Sequence, residues 1–237
     1  PYIIGIASAA TFGAVIAYLL GLSDVFYGIF AFLSASALSI VIFKLAAHTR
    51  SISTLLIVGI AVSSFLGAFT SFAVYLIGED SFRITAWMMG YLGGANWQKI
   101  ALLLPPLLFC MAYFYAKRHE LNIILNGDEE AKSLGLNVER SKKSLLIVSS
   151  LIIGFSVAFT GMIGFVGLII PHTLRMALHT ASNAVLIPAS ALTGGVFLVF
   201  CDVIAKNALS PVEIPIGVVT SFFGAPFFLY LAFRKHA

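Results

Sequence analysis

The sequence predicts an all-α, polytopic membrane protein with about eight transmembrane helices. Hydrophobic residues make up 60% of the 237 residues and charged residues 10%, and the mean hydropathy is +1.02. A soluble domain carries about 25% charged residues. The apolar residues fall in blocks of about 20, the length that a helix needs to cross the hydrocarbon of a bilayer. Barrel strands would be about ten residues long with alternating polarity, which the sequence does not show.

Eight stretches are predicted to be the spans of a single transmembrane domain over residues 1–237. They are residues 3–21, 26–46, 55–77, 99–116, 144–162, 163–178, 184–206 and 215–233. The sixth span is short and contains Pro171. It is inferred from the orientation of the chain in the membrane and not from its hydropathy. Basic residues favour the cytoplasmic side. If residues 117–143 are cytoplasmic, the basic C-terminus is expected inside as well, which requires an even number of crossings after Lys143.

Residues 117–143, the polar segment, are predicted to form two short helices within 119–135. Asp128 is expected to be the N-cap of the second helix, and acidic side chains in its first turn suit the positive end of the helix dipole. Gly135 lies where this helix should stop. We interpret the helix as a docking element, the alternative being a merely solvated helix start. Its candidate contact residues are Asp128, Glu129, Glu130, Ala131, Leu134 and Gly135.

The connection between the third and fourth spans, residues 78–97, is less hydrophobic than its neighbours. Its centre, Ala86–Leu92, is predicted to be a short interfacial or re-entrant helix bounded by Gly93. Trp87 and Trp97 suit the membrane interface, where tryptophan is enriched.

Two predicted helices carry small residues at every fourth position, which lets another helix approach closely. Residues 62–68 (VSSFLGA) and 219–225 (VTSFFGA) are also similar, and the predicted topology runs their helices in opposite directions. Either chance or an inverted repeat explains the similarity. Inverted repeats are typical of transporters, whose pathway lies near the repeat interface. The candidate pathway residues are Gly59, Ser63, Gly67, Ser71, Gly217, Ser221 and Ala225.

Asp202 is the acidic residue placed deepest within a predicted span. Acids inside a membrane are commonly functional, so Asp202 could bind a coupling ion. Lys206 follows four residues later and could instead neutralise it as a helical ion pair. No phosphate loop, catalytic motif or metal-ligand motif is present, so an enzyme is not expected.

His172, Arg175 and His179 share one face of a predicted helix. Two imidazoles could bind a metal ion, but the arginine between them would oppose a cation, which favours a polar helix end. Cys110 and Cys201 lie in apolar runs and are expected to be buried thiols.

Several motifs resemble one known family. NGDEEAKSLGLNV (126–138), GMIGFVGLIIPHTLR (161–175) and PVEIPIGVVTSFFGAPFFLYL (211–231) are similar to the permease subunits of ABC importers for iron-siderophores, haem and cobalamin, the FecCD-like permeases. VGIAVSSFLGAFTS (58–71) and WMMGYLGGANW (87–97) match the middle of the same family. Members usually have ten spans, so two are expected to be absent before Pro1.

The resemblance implies a transport subunit that itself binds no cofactor or metal ion. ATP would be bound and hydrolysed by partner ATP-binding cassette subunits in the cytoplasm. It also implies a second permease copy, an extracytoplasmic solute-binding protein, and the cytoplasmic (inner) membrane of a prokaryote. The residues 128–135 would form the coupling helix, which enters a cleft of the ATPase. The cytoplasmic gate would include Ser51, Ile52, Ser53 and Thr54, and the pathway would lie near the helices at 59–71 and 217–226.

Arg83 and Lys206 are among the few basic residues on the predicted outer side. Binding proteins of this family dock through acidic side chains, so these two residues are expected to attract them. An ion-coupled secondary transporter that uses Asp202 is the alternative function. The two cytoplasmic helices favour the ABC importer, because an ion-coupled carrier needs no contact with an ATPase.

Overall fold

The computed structural model describes residues 5–48, 52–78 and 81–234, and within these ranges the chain is helical and contains no strand. The all-α prediction is therefore confirmed. The helices of these ranges are α1 (Ile6–Leu19), α2 (Asp24–His48), α3 (Ile52–Ile77), α4 (Ser81–Met88), α5 (Trp97–Ala116), α6 (Arg118–Ile124), α7 (Asp128–Ser133), α8 (Val138–Thr160), α9 (Val166–Leu178), α10 (Asn183–Asn207) and α11 (Ile216–Arg234).

In the described part of the chain, an apolar helix overlaps each of the eight predicted spans. Among the described residues, α5, α8, α10 and the Ile57–Ile77 part of α3 are long and apolar enough to cross a bilayer. The apolar parts of α1, α2, α9 and α11 are shorter, between 10 and 17 residues. The class of polytopic helical membrane protein is confirmed, whereas the predicted order of eight crossings stays a prediction.

The helices begin and end within three residues of the predicted span boundaries, except at the start of α8, and the differences at α8 and α9 bear on the site. α8 begins at Val138, inside the polar segment, and not at residue 144. The chain is not helical over 161–165, so α9 begins at Val166 and not at residue 163. Gly161 has a φ of +69°, a conformation that favours glycine and ends α8.

Small residues bring α1, α2 and α8 together in the main core. A Cβ on Gly13 of α1 would lie 2.3 Å from the carbonyl oxygen of Phe30 in α2, and one on Gly154 of α8 would lie 2.7 Å from Cα of Phe32. The backbones therefore touch at both crossings, as small residues allow. The buried core between them consists of Ile6, Ala10, Ala14, Ala31, Ala35, Val157 and Ala158.

The predicted helix at Ala86–Leu92 is wrong in position, because α4 ends at Met88 and residues 90–92 are not helical. Gly90, with a φ of +88°, ends the helix and turns its last carbonyl groups toward other segments. Four main-chain hydrogen bonds of 2.9–3.3 Å result. They run from the N–H groups of Tyr91, Met162, Ile216 and Gly217 to the carbonyl oxygens of Thr160, Met88, Gly90 and Met89, respectively.

We call residues 88–91, 160–162 and 216–217 the glycine junction, because each of its three segments contains a tightly packed glycine. A Cβ on Gly161 would lie 1.7 Å from the carbonyl oxygen of Trp87, and one on Gly217 would lie 2.1 Å from that of Met89. α8 runs from the polar segment to the junction, so these two features lie at opposite ends of the helix bundle.

Candidate functional site

The polar segment contains two short helices, α6 and α7, as predicted. α6 continues almost directly from α5 and is fixed to α8 through Glu120. The Glu120 carboxylate accepts hydrogen bonds from Lys117 Nζ at 2.5 Å and from the buried Ser141 hydroxyl at 2.7 Å. Burial by itself would raise the pKa of Glu120, but the bonds from Lys117 and Ser141 together outweigh it and lower the pKa below its ordinary value.

A second attachment joins α6 to α10. Asn122 Oδ1 accepts hydrogen bonds from the backbone N–H of Asn183 at 2.9 Å and from Asn183 Nδ2 at 2.8 Å. Asn183 is the first residue of α10, and the N-cap residue Ser182 makes no side-chain capping bond. Asn122 therefore satisfies a free N–H group at the start of α10, the usual task of a local capping residue.

The prediction that Asp128 is the N-cap of α7 is wrong. Gly127 occupies that position, with a φ of +121°, and Asp128 is the first helical residue. The Asp128 carboxylate instead accepts two bonds, of 2.6 and 2.7 Å, from Lys142 Nζ in α8. A carboxylate in the first turn still favours the positive end of the helix dipole, and the ion pair sets the position of α7 against α8.

The end of α7 is confirmed at the position that Gly135 predicts. Gly135 has a φ of +82°, its N–H bonds to the carbonyl oxygen of Lys132, and the N–H of Leu136 bonds to that of Ala131. These two bonds form a Schellman motif, which needs the left-handed conformation that glycine adopts without strain. Ala131 is fully buried and fixes the inner face of α7.

The outer face of the polar segment remains open to a partner. The Glu129 side chain is 97% exposed, and Leu134 is 64% exposed. Glu130 is exposed as well, and Leu125 at the end of α6 is 55% exposed. Acidic and apolar side chains thus share an exposed face, and the opposite face is bonded to α8 and α10. Exposed apolar groups rimmed by polar ones are typical of protein-protein contact sites.

The predicted gate residues lie at the start of α3. Ser51 falls outside the described residues, and Ile52, Ser53 and Thr54 are the first three residues of the helix. The structure describes the backbone of these three and not their side chains, so their role as a gate stays a prediction.

The small residues of α3 divide into a packed pair and an open pair. Gly59 is buried, and Ser63 Oγ donates a 2.6 Å hydrogen bond to its carbonyl oxygen. A Cβ added to Gly5, the residue before α1, would overlap Ser63 Oγ. A Cβ added to Gly67 would have no atom within 4 Å, and Ser71 is exposed. The row of small residues on α3 therefore packs near the start of α1 at one end and is exposed at the other.

In α11 the small residues divide in a similar way. Gly217 belongs to the glycine junction, Ser221 is half-buried, and Ala225 is exposed. Gly224 is not among the predicted pathway residues. It packs directly on the Phe165 side chain, because a Cβ added to Gly224 would lie 2.2 Å from Cγ of Phe165. The structure thus leaves Ser71 and Ala225 exposed and buries Gly59 and Gly217.

Asp202 and Lys206 form the predicted helical ion pair, with a Nζ–Oδ2 distance of 2.6 Å. The Asp202 side chain is 23% exposed and that of Lys206 is 42% exposed, so the pair lies at the bundle surface. Its position is at the end of α10 near the glycine junction. Arg83 lies in α4, and its side chain is outside the described residues.

The described residues contain no group of three or more His, Cys, Asp or Glu side chains that could hold a metal ion. The His172 ring contacts Phe227 edge-on at a centroid distance of 6.4 Å, while Arg175 and His179 are exposed. The prediction of buried, unpaired thiols at Cys110 and Cys201 is confirmed.

Comparison with known proteins gives the family. The FecCD transport family matches residues 1–234 of the chain. The chain belongs to this family. Curated FecCD-like relatives include the ABC transporter permease protein YvrB of Bacillus subtilis, which is 37% identical over 100% of this chain and 69% of its own length. The cobalamin import system permease protein BtuC of Halobacterium salinarum is 41% identical over 98% of this chain and 63% of its own length.

The hemin transport system permease protein HmuU of Yersinia pestis is 36% identical over 86% of this chain and 62% of its own length. The chain thus spans between 62% and 69% of the length of these three relatives. A solved metal-chelate type ABC transporter in an inward-facing conformation is similar in structure. It has a TM-score of 0.88 and 30% sequence identity, covering 99% of this chain and 75% of that one. The relatives are permease proteins, so this FecCD chain is a transport component.

The sequence of this FecCD chain did not indicate the residues that attach α6 to α8 and α10. Glu120, Asn122, Ser141 and Asn183 are polar residues in or beside the predicted cytoplasmic loops. Their polarity fits solvation equally well, and nothing in the linear sequence indicates that residues 61 positions apart meet. Only the packing of α6 against α8 and α10 identifies them.

Proposed function

We propose that this chain is part of the transmembrane permease of an ABC importer that carries a metal chelate into the cytoplasm. The chelate class is iron-siderophore, haem or cobalamin, the last two being the cargo named for relatives in the same family. The observation that carries the proposal is the polar segment, whose inner face is bonded to α8 and α10 while its outer face is exposed. An exposed face on a segment that is hydrogen-bonded to the helix bundle suits contact with a separate ATPase subunit.

The coupling contact comprises α7 and the turn that ends it, with Asp128, Glu129, Glu130, Ala131, Leu134 and Gly135 as its residues. Ala131 and the Schellman turn hold the backbone, and Asp128 is bonded to Lys142. Glu129, Glu130 and Leu134 are the side chains that reach the ATPase. An exposed leucine flanked by carboxylates supplies an apolar anchor with a charged rim, the usual anatomy of a transient interface.

The remaining partners follow from the proposed importer. Two ATP-binding cassette subunits bind ATP and contact the polar segment, a second permease copy completes the pathway, and a solute-binding protein delivers the chelate at the opposite end. The complex lies in the cytoplasmic membrane of a prokaryote. Residues 51–54 act at the cytoplasmic gate, and the small residues of α3 and α11 line or border the pathway.

Binding-protein docking is assigned to Arg83 and Lys206. Both belong to the end of the bundle opposite the polar segment, because α4 leads into the glycine junction and α10 ends beside it. Lys206 combines its bond to Asp202 with 42% side-chain exposure, so a carboxylate of a partner can still approach it.

The experiment that tests the coupling role uses the full-length protein with its ATPase and binding protein in liposomes. Glu130→Lys reverses an exposed charge, and Gly135→Val strains the left-handed turn that ends α7. Both are expected to reduce ATPase co-purification and chelate uptake while the permease still inserts. Gly21→Val is the matched control, because Gly21 also has a positive φ and no atom within 4 Å of an added Cβ but lies outside the polar segment. Wild-type ATPase binding and uptake in both test variants would refute the coupling role.

A further inference from the structure

The contact between Asn122 and Asn183 connects two parts of the chain that are remote in sequence. Asn122 belongs to the polar segment, whereas Asn183 begins α10, which is 25 residues long and runs to the opposite end of the bundle. Both donors of Asn183, the backbone N–H and Nδ2, are bonded to the single oxygen of Asn122. The two asparagines are half-buried, so water competes less for these bonds than at an exposed surface.

The other attachments of the polar segment are local. Glu120 bonds to Ser141 and Asp128 to Lys142, and both partners lie at the start of α8, the helix that follows α7 directly. These bonds lie within the polar segment and join its two short helices to the first residues of α8. Asn122, in contrast, reaches a helix that is separated from the segment by α8 and α9.

The far end of α10 packs on the start of α11. Cys201 and Ala205 of α10 form a buried cluster with Ile216 and Val219 of α11, and Ile216 donates a main-chain bond within the glycine junction. A displacement of the first residue of α10 along its axis therefore reaches the end of the bundle near Lys206. Packed helices with two alternative arrangements are the usual carriers of such coupling.

We propose that Asn122 is a positioning residue that makes α10 follow the movement of the polar segment when the ATPase binds ATP. The proposal rests on the proposed function, because it presumes that the ATPase contacts α7. Asn122 lies on the inner side of the segment and is assigned no contact with the ATPase. Removing the Asn122 oxygen should therefore reduce the transport obtained from each ATP hydrolysed, while the ATPase stays bound to the permease.

The test compares Asn122→Leu, which has a similar size but no acceptor, with Asn122→Asp, which keeps an acceptor oxygen. Full-length permease, ATPase and binding protein are reconstituted in liposomes, and the chelate molecules imported per ATP hydrolysed are measured. Asn122→Leu is expected to keep the ATPase bound and to import about tenfold less chelate per ATP, within the usual range of allosteric coupling. Asn122→Asp should stay near the wild-type ratio.

A second readout follows the movement itself. A cysteine at Ser182, the residue before α10, is labelled with and without a non-hydrolysable ATP analogue. The wild-type background should show an ATP-dependent change in labelling rate, and Asn122→Leu should abolish that change. If Asn122→Leu does not fold, Asn183→Ala removes the Nδ2 bond alone and should give a smaller change in the same direction.

An unchanged import ratio in Asn122→Leu would overturn the proposal, and so would equal impairment by Asn122→Leu and Asn122→Asp, which would indicate a role in folding alone. Failure of the proposed function has a different signature. In that case Glu130→Lys and Gly135→Val would leave ATPase binding intact, whatever the result at Asn122.

Discussion

Glu120 is an acidic residue whose charge is held in place by two donors from different parts of the chain. Its lowered pKa means that folding favours the ionised form, so the carboxylate stabilises the attachment of α6 at pH values above the ordinary glutamate pKa of about 4.5. That stabilisation is lost as the pH falls through the lower, folded pKa. Between pH 5 and pH 8 the attachment is therefore expected to be insensitive to this group.

We predict that the polar segment of the wild-type protein loses stability when the pH falls below the ordinary glutamate pKa, because Glu120 is then protonated and its bonds to Lys117 and Ser141 weaken. Glu120→Gln should lower the stability at neutral pH and remove this part of the acid dependence. Limited proteolysis of residues 117–143 in detergent between pH 6 and pH 3 measures both effects. Parallel pH profiles in the two proteins would show that Glu120 is not the titrating group.

Lys206 offers a second prediction for a single residue. If it attracts a binding protein, Lys206→Glu should slow association about tenfold at low salt and flatten its salt dependence, because steering by charge is screened beyond a Debye length of about 8 Å. Stopped-flow mixing with the binding protein measures both. Asp202→Asn is the control, since it removes the local partner and leaves the lysine charge. The alternative is that Lys206 serves only the ion pair. Lys206→Glu would then leave association unchanged but lower the folding yield, and adding Asp202→Lys would restore that yield.

At the scale of secondary-structure elements, the Asn122–Asn183 contact also bears on topology. It holds the turn between α9 and α10 beside the polar segment, so both belong to the same end of the bundle. A cysteine at Ser182 is expected to react with impermeant reagents from the cytoplasmic side only. Position 209, in the turn after α10, is the control and should react from the opposite side. Labelling of Ser182 from outside would remove α9 as a crossing helix.

The elements themselves were largely predictable, because each depends on local properties. Apolar length predicts seven of the eight apolar helices, and the distribution of basic residues predicts the remaining one, α9. The left-handed preference of glycine predicts the end of α7 at Gly135. The misplaced helix at 86–92 has the opposite cause. Gly90 ends α4 in a left-handed conformation, as Gly135 does after α7. The bonds that fix this turn run to Thr160 and to the start of α11, and partners so distant in sequence do not show which of Gly90, Gly93 and Gly94 ends the helix. Gly127 and not Asp128 occupies the N-cap position of α7, and the Asp128 carboxylate bonds instead to Lys142, 14 residues further along the chain.

At the scale of the whole molecule, the glycine junction joins α4, α8 and α11 at one end of the bundle. Gly161 has a φ of +69° and a ψ of −167°, a region that glycine alone adopts readily, and an added Cβ would overlap the carbonyl oxygen of Trp87. We predict that Gly161→Ala destabilises the protein by about 1–3 kcal/mol. Thermal unfolding in detergent measures the change.

Gly167 of α9 is the matched control, because it lies within a helix and an added Cβ would have no atom within 4 Å. Gly167→Ala should leave the stability unchanged or raise it by about 0.5–1 kcal/mol, as expected for a helical glycine. Equal unfolding temperatures for the two alanine variants would contradict the tight packing of the junction.

The four hydrogen bonds of the glycine junction use main-chain atoms alone, so few side-chain substitutions can remove them. Every non-proline residue supplies the same N–H and C=O groups. In a saturation mutagenesis experiment, Gly90, Gly161 and Gly217 should therefore stand out as intolerant sites, whereas an exposed neighbour such as Tyr91 accepts most side chains apart from proline. The surface beside the glycine junction can then change in sequence while the helices beneath it keep their arrangement.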